Sequence, residues 1–149
     1  MATNTEWVDN ENKYTVESTG YNKYKAEQEV DFSLYTIAGA TDTVECLKIP
    51  KGAHVTSCGM YVKTVSTAAA NAATLGDGDD PNGWANTLLN LDSAAAVGLS
   101  LPADAYPVLG GKVYVTADTI DIVLSTAVPA DGVLVVWAEY SIIQAVANA

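Results

Sequence analysis

Three stretches near the C-terminus, Gly111-Lys-Val-Tyr-Val-Thr116, Thr119-Ile-Asp-Ile-Val-Leu-Ser125 and Val133-Leu-Val-Val-Trp-Ala-Glu-Tyr-Ser-Ile142, decide how the chain folds. Each is short, rich in β-branched and aromatic residues, and bounded by glycine, proline or aspartate, which is the pattern of a strand rather than a helix. Between the last two lies Pro129-Ala-Asp-Gly132. Proline presets φ and Asp-Gly tolerates positive φ, so this segment predicts a hairpin turn.

Working back from there, Thr43–Ile49 and His54–Val65 read as two further strands around a Pro50-Lys-Gly52 turn. In the second, Val55, Ser57, Gly59, Tyr61, Lys63 and Val65 alternate onto one face, and Gly59 suggests a bulge or a close backbone approach. Glu29–Ile37 reads as another strand. The alanine-rich patches at 68–73 and 94–98 have helical propensity, but threonine, serine and glycine flank them, and loops or short extended pieces are expected. Many strands without a long helical pattern predict an all-β, jelly-roll-like antiparallel β-sandwich.

At 149 residues the chain is the size of one domain, large enough to bury a core without disulfide staples. Residues 1–27 are polar but carry Trp7, Tyr14, Tyr21 and Tyr24. Two readings stand side by side: an extended N-terminal arm that docks its rings on a partner, ahead of a sandwich domain at 28–149, or a strand and loop that wrap their own domain. No stretch approaches the roughly 20 apolar residues of a membrane helix. The first residues have neither a basic nor an apolar signal region, so synthesis in a cytoplasm is expected.

Charge excludes whole classes of partner. Eighteen acidic residues face seven basic ones for a net charge of -11, and every basic residue is a lysine. Without an arginine or a basic patch, nucleic-acid binding is not expected, and an anionic membrane is disfavoured for the same reason.

Catalytic signals are missing. No Gly-x-Ser-x-Gly elbow or phosphate loop is found, and the one histidine, His54, has no partner at metal-ligand spacing and reads as an exposed turn residue. Asp121 and Glu139 flank the Asp-Gly turn like a glycosidase pair, but acids on exposed strand faces more often keep a sheet soluble. If Pro50 turns a hairpin, Cys46 faces Cys58; two reduced, buried thiols are expected, with a disulfide as the other reading. No catalytic residue, cofactor or resident metal is assigned.

The motif that stands out is Leu75-Gly-Asp-Gly-Asp-Asp-Pro-Asn-Gly-Trp84. Asp77, Asp79, Asp80 and Asn82 offer oxygens to calcium, yet the register lacks the third ligand and closing glutamate of a helix-loop-helix site. The simpler reading is a solvated turn with Trp84 packing back onto the sandwich.

That motif, with Ala105-Tyr106, Thr116–Leu124 and Asp131–Tyr140, resembles small structural proteins of tailed bacteriophages. Within that group it is most similar to capsid decoration, or cement, proteins. The resemblance implies a homo-oligomer, trimer favoured over dimer, clamped on the outer capsid surface over joints between major capsid proteins. It transfers no catalytic residue. By residue type, Trp7, Tyr14, Tyr21, Tyr24, Trp84 and Tyr106 are the candidate contacts with capsid or subunit. The alternative is a tail or fibre-associated module that binds a receptor or glycan, with Trp84 and Tyr106 stacking on sugar rings.

Overall fold

The computed structural model describes residues 3–4, 14–18, 23–34, 37, 39, 42–68, 72–93, 97–99, 104–125 and 129–149. Two antiparallel sheets face each other. The five-stranded sheet contains β1 (Thr3–Asn4), β4 (Thr43–Ile49), β10 (Asp118–Ser125), β6 (Ala72–Gly76) and β7 (Ala85–Asn90), in that spatial order. The six-stranded sheet runs β2 (Tyr14–Ser18), β3 (Lys23–Asp31), β11 (Val133–Ile142), β5 (Ala53–Thr64) and β8 (Val97–Leu99), with the two-residue β9 (Lys112–Val113) also on β5. Single turns of helix, α1 (Ala105–Val108) and α2 (Gln144–Ala147), complete the described elements. None of the described helices is long and apolar enough to cross a membrane.

The all-β sandwich predicted from strand patterning is what forms, and its core explains why. Along β11, Leu134, Val136, Ala138 and Tyr140 point inward while Trp137 and Glu139 alternate outward. From the other sheet Val44, Leu47, Ile49, Leu75, Ile120, Ile122 and Leu124 meet them, all buried. Each such aliphatic side chain contributes about 1.5–3 kcal/mol on burial. On the outer face Trp137 pairs across strands with Gly59 on one side and Glu27 on the other. The Lys25 ammonium lies 5.8 Å from the indole centroid.

The strand limits at β4, β5, β10 and β11 follow the sequence pattern, but the expected pairings do not. Pro50-Lys-Gly52 joins β4 to β5, and these strands lie in different sheets; the same is true of β10 and β11 across Pro129–Gly132. Neither turn is a hairpin. Both are corners over which the chain passes from one sheet to the other, with positive φ at Gly52 (86°) and Gly132 (94°). A side chain at Gly132 would meet Ser66 N at 2.9 Å, so the close approach at that corner also selects glycine. Asp131 braces the corner by accepting hydrogen bonds from the Thr67 amide (2.8 Å), the Thr67 hydroxyl (2.7 Å) and the Ser66 hydroxyl (3.2 Å).

Because β4 and β5 do not pair, Cys46 and Cys58 are not cross-strand partners; both are buried free thiols, one from each sheet. Burial raises both thiol pKa values well above the ordinary range, so neither favours the thiolate. The bulges on β5 are also displaced from Gly59. Register shifts fall between Glu139 and Tyr140 and between Val133 and Leu134 of the facing strand. The first puts Val55 on the inward face with Cys58, Met60 and Val62, whereas strict alternation would have sent it outward with Ser57.

Glu29–Ile37 is not one strand either. β3 ends at Asp31, whose carboxylate accepts the Ser33 amide (2.9 Å) and hydroxyl (2.6 Å) and turns the chain, leaving Leu34 exposed. Its start at Lys23 carries it across the 27/28 division expected from composition. The N-terminal segment contributes strands to both sheets, Thr3–Asn4 parallel to β4 and Tyr14–Ser18 antiparallel to β3.

Candidate functional site

The Leu75–Trp84 motif leaves β6 and returns as β7. At its start Gly76 has the Asp80–Pro81 backbone where a side chain would stand: a Cβ there would lie 2.2 Å from the Asp80 carbonyl oxygen. Only glycine lets the loop fold back this tightly. The Asp77 amide donates to the Asp80 carbonyl (3.0 Å), and the Trp84 amide donates to the Leu75 carbonyl (3.0 Å), closing the turn.

Asp77 is the centre of the site. Its side chain is fully buried. Oδ1 accepts the Tyr106 hydroxyl (2.7 Å) and the amides of Asp79 (3.0 Å) and Asp80 (3.1 Å). Oδ2 accepts the Tyr114 hydroxyl (2.7 Å) and the Lys112 ammonium (2.7 Å). Lys112 also donates to Asp79 Oδ2 (2.8 Å) and lies 4.7 and 4.9 Å from the Tyr106 and Tyr114 ring centroids. The Trp84 indole N–H donates to the Tyr114 hydroxyl (3.2 Å). One carboxylate thus joins the β6–β7 loop, α1, β9 and Tyr114.

Burial alone would raise the Asp77 pKa, but the bonds from Lys112, Tyr114, Tyr106 and the backbone outweigh it and hold the carboxyl below its ordinary value. Burial opposes the Lys112 charge, and the Asp77 and Asp79 carboxylates more than restore it, so its pKa is raised. Burial, reinforced by Asp77, raises both tyrosines, which stay protonated as donors.

Asp77, Asp79 and Asp118 bring carboxylate oxygens within 4.8 Å of one another, the spacing of a cation site. The cation that Asp77 and Asp79 hold is the ammonium of Lys112. A calcium ion in this loop would have to displace the Lys112 ammonium from Asp77 and Asp79 and compete with the tyrosine hydroxyls for the Asp77 lone pairs.

Of the candidate contacts, Trp84 and Tyr106 are brought together. Trp84 is fully buried and takes the edge of Tyr106 at 5.1 Å and 64°. Its fit is tight, since a Cβ on Gly83 would stand 2.5 Å from the Tyr106 ring. The turn reading of the motif is therefore the one that forms, and Trp84 has no face open to a sugar. Tyr24 is half-buried and stacks on Tyr140 at 5.4 Å and 20°. Trp7 and Tyr21 lie outside the described residues, and of Tyr14 the structure describes only its place in β2. His54 is half-buried in β5, its Nε2 3.1 Å from the Gly110 carbonyl oxygen.

Sequence reasoning passed over Lys112 and Tyr114. The Lys-Val-Tyr-Val alternation did signal two opposite faces, but hydrophobicity would turn Val113 and Val115 inward. Instead Tyr114 is buried and Lys112 partly buried, both turned to Asp77. Asp121 and Glu139 form no pair: one lies in each sheet, both on outward faces, and Asp121 is only 4% exposed.

With the site described, the chain can be set beside known proteins. No family model and no curated protein matches it. Solved structures do. A chain in the capsid of Ralstonia phage GP4 matches with a TM-score of 0.62 at 14% identity, over 88% of this chain and 92% of that one. A chain of the cyanophage Pam1 capsid asymmetric unit matches with a TM-score of 0.60 at 16% identity, over 90% and 97%. The fold is that of phage capsid chains. A third match, in the acidic stable capsid of Helicobacter pylori bacteriophage KHP30, has a TM-score of 0.58 at 16% identity and covers 87% and 92%. Each match covers 87–90% of this chain, so the arrangement of both sheets, and not one local motif, carries the likeness.

Proposed function

We propose that the chain is a virion structural protein that binds the outside of a phage capsid and cements neighbouring major capsid proteins. The observation that carries this reading is the coextensive likeness to three capsid chains, each covered over at least 92% of its length. Charge agrees with the outer surface: a protein of net charge -11 without arginine is repelled by packaged nucleic acid. Small interfaces repeated by lattice symmetry give avidity without a large single contact. No catalytic step belongs to this reading. In it the partners are the major capsid protein and further copies of the chain, with a trimer covering sheet edges that a lone sandwich leaves open. Trp7 and Tyr21 of the N-terminal segment contact neighbouring subunits, as does Tyr14 from the edge strand β2.

Sedimentation tests it. Purified protein is incubated with shells of the encoding phage that lack it, and bound copies are counted. Saturable binding on the order of hundreds of copies per shell is expected, because symmetry repeats each site. A deletion of residues 1–12, which spares β2 and β3, is expected to weaken it. Binding of only a few copies would favour a tail-associated role.

A further inference from the structure

Six large apolar side chains stand strongly exposed among the described residues, and four of them fall between residues 108 and 115: Val108 (65%), Leu109 (79%), Val113 (37%) and Val115 (64%). One exposed leucine needs no explanation, but a concentration of this kind on a monomer surface does. The backbone accounts for the placement. The amides of Leu109 and Gly111 donate to the Tyr106 carbonyl (3.1 and 3.0 Å), and that of Gly110 donates to the Pro107 carbonyl (3.0 Å). With φ of 79° at Gly110 and 104° at Gly111, the chain doubles back and Val108–Leu109 becomes its tip. Lys112 and Tyr114 then turn inward to Asp77, which leaves Val113 and Val115 facing out.

The buried polar cluster is thus the base of an apolar knuckle. Tyr106, before the tip, and Lys112 and Tyr114, after it, are all bonded to one carboxylate. A surface fixed in advance loses less entropy on docking than a flexible loop does. On the side of the β6–β7 loop the charge beside the knuckle is acidic, while His54 pairs with Val113 and the Lys51–Ala53 turn lies against Tyr114 on the other side. Asp79 is largely exposed, Asp80 and Asp118 half-exposed. Within residues 77–86 and 104–118 the sole cation, Lys112, is engaged by Asp77 and Asp79.

We infer that this knuckle is the face by which the chain docks on a protein surface that is apolar at its centre and ringed by lysine or arginine. The inference rests on the capsid reading, in which that surface belongs to the shell. A second copy is the poorer occupant, since it would bring the same acidic rim to meet its like.

The test uses full-length protein carrying Leu109→Glu or Val115→Glu. Both side chains are exposed, so the melting temperature is expected to stay at the parent value. Each variant is expected to bind shells of the encoding phage at least about tenfold more weakly, the loss typical of an anchor side chain. Raising NaCl from about 50 to about 500 mM is expected to weaken the parent, because charges at a rim are screened. If the parent binds and both variants match it, the docking face is wrong and the capsid reading stands. If the parent does not bind, both fall. Loss of self-association in the variants with shell binding intact would make the occupant a second copy and overturn the inference.

Discussion

Replacing Asp77 with alanine is expected to lower folding stability by about 3–5 kcal/mol, the range for breaking a buried charge pair from one side. Five donors converge on this carboxylate: Tyr106, Tyr114, Lys112 and the amides of Asp79 and Asp80. Without it Lys112 loses its buried partner and keeps Asp79, while two tyrosine hydroxyls and two amides are left to find new acceptors. Asp77→Asn is expected to fall between parent and alanine, since its oxygen still accepts but its amide group meets Lys112 and Tyr114 donor to donor. The pH dependence gives a second check. The native pKa of Asp77 is lowered, so its contribution is fully present above the unfolded value of 3.8 and is lost as pH falls below it through the native value. Urea midpoints at pH 7 and pH 3 are expected to differ less in Asp77→Ala than in the parent. Equal differences would remove the carboxylate from the account.

Asp121→Asn is expected to act in the opposite direction and in another pH window. Asp121 is paired across strands with Glu45 and Gly76 on the outer face of the five-stranded sheet, and its Oδ1 has no hydrogen-bond partner among the described residues. Burial first, then the charges of Glu45, Asp118 and Asp77, push its pKa up to about 7 against some relief from Thr119. A raised carboxyl favours the native state below the unfolded value of 3.8, and that advantage is lost as pH rises through about 7. At about 1.4 kcal/mol per pH unit, the parent is expected to lose on the order of a few kcal/mol between pH 4 and pH 8 from this one group. Asparagine carries no charge to desolvate. The variant is expected to melt above the parent at pH 8, with a flatter profile between pH 5 and pH 8, read by thermal denaturation. A variant that melts below the parent at pH 8 would mean that the ionised carboxylate is stabilised by something other than its neighbours.

These two aspartates also mark where the sequence was readable and where it was not. Local pattern placed some strands well: Thr43–Ile49, and Val133–Ile142 after its Asp-Gly turn, form as read, whereas Glu29–Ile37 ends at Asp31 and Gly111–Thr116 shrinks to Lys112–Val113. It did not say which sheet each strand joins. Pro50-Lys-Gly52 and Pro129–Gly132 have the turn chemistry of hairpins, and the same chemistry turns a corner between sheets; the choice depends on distant partners such as β3 with β11. Inward and outward faces failed where a bulge changed the phase, as at Val55, or where a polar partner reversed it, as at Lys112 and Tyr114. An Asp-Gly-Asp-Asp run signals a turn whether its cation is a metal or a lysine some 35 residues away, and only the folded chain decides. Trp84 is the opposite case: the glycines of the turn and the apolar ring after them pointed to a residue packed back on its own sandwich, which is where it lies.

The account stands most directly on where the chain sits in a particle. Cryo-electron microscopy of virions from the encoding phage, with the gene intact and with it deleted, gives that answer. The expected map shows a two-sheet sandwich repeated over the outer capsid surface, its residues 108–115 against the shell, and the deletion removes that density while the shell beneath remains. A sandwich found only at the tail, or a capsid surface unchanged by the deletion, would contradict the account.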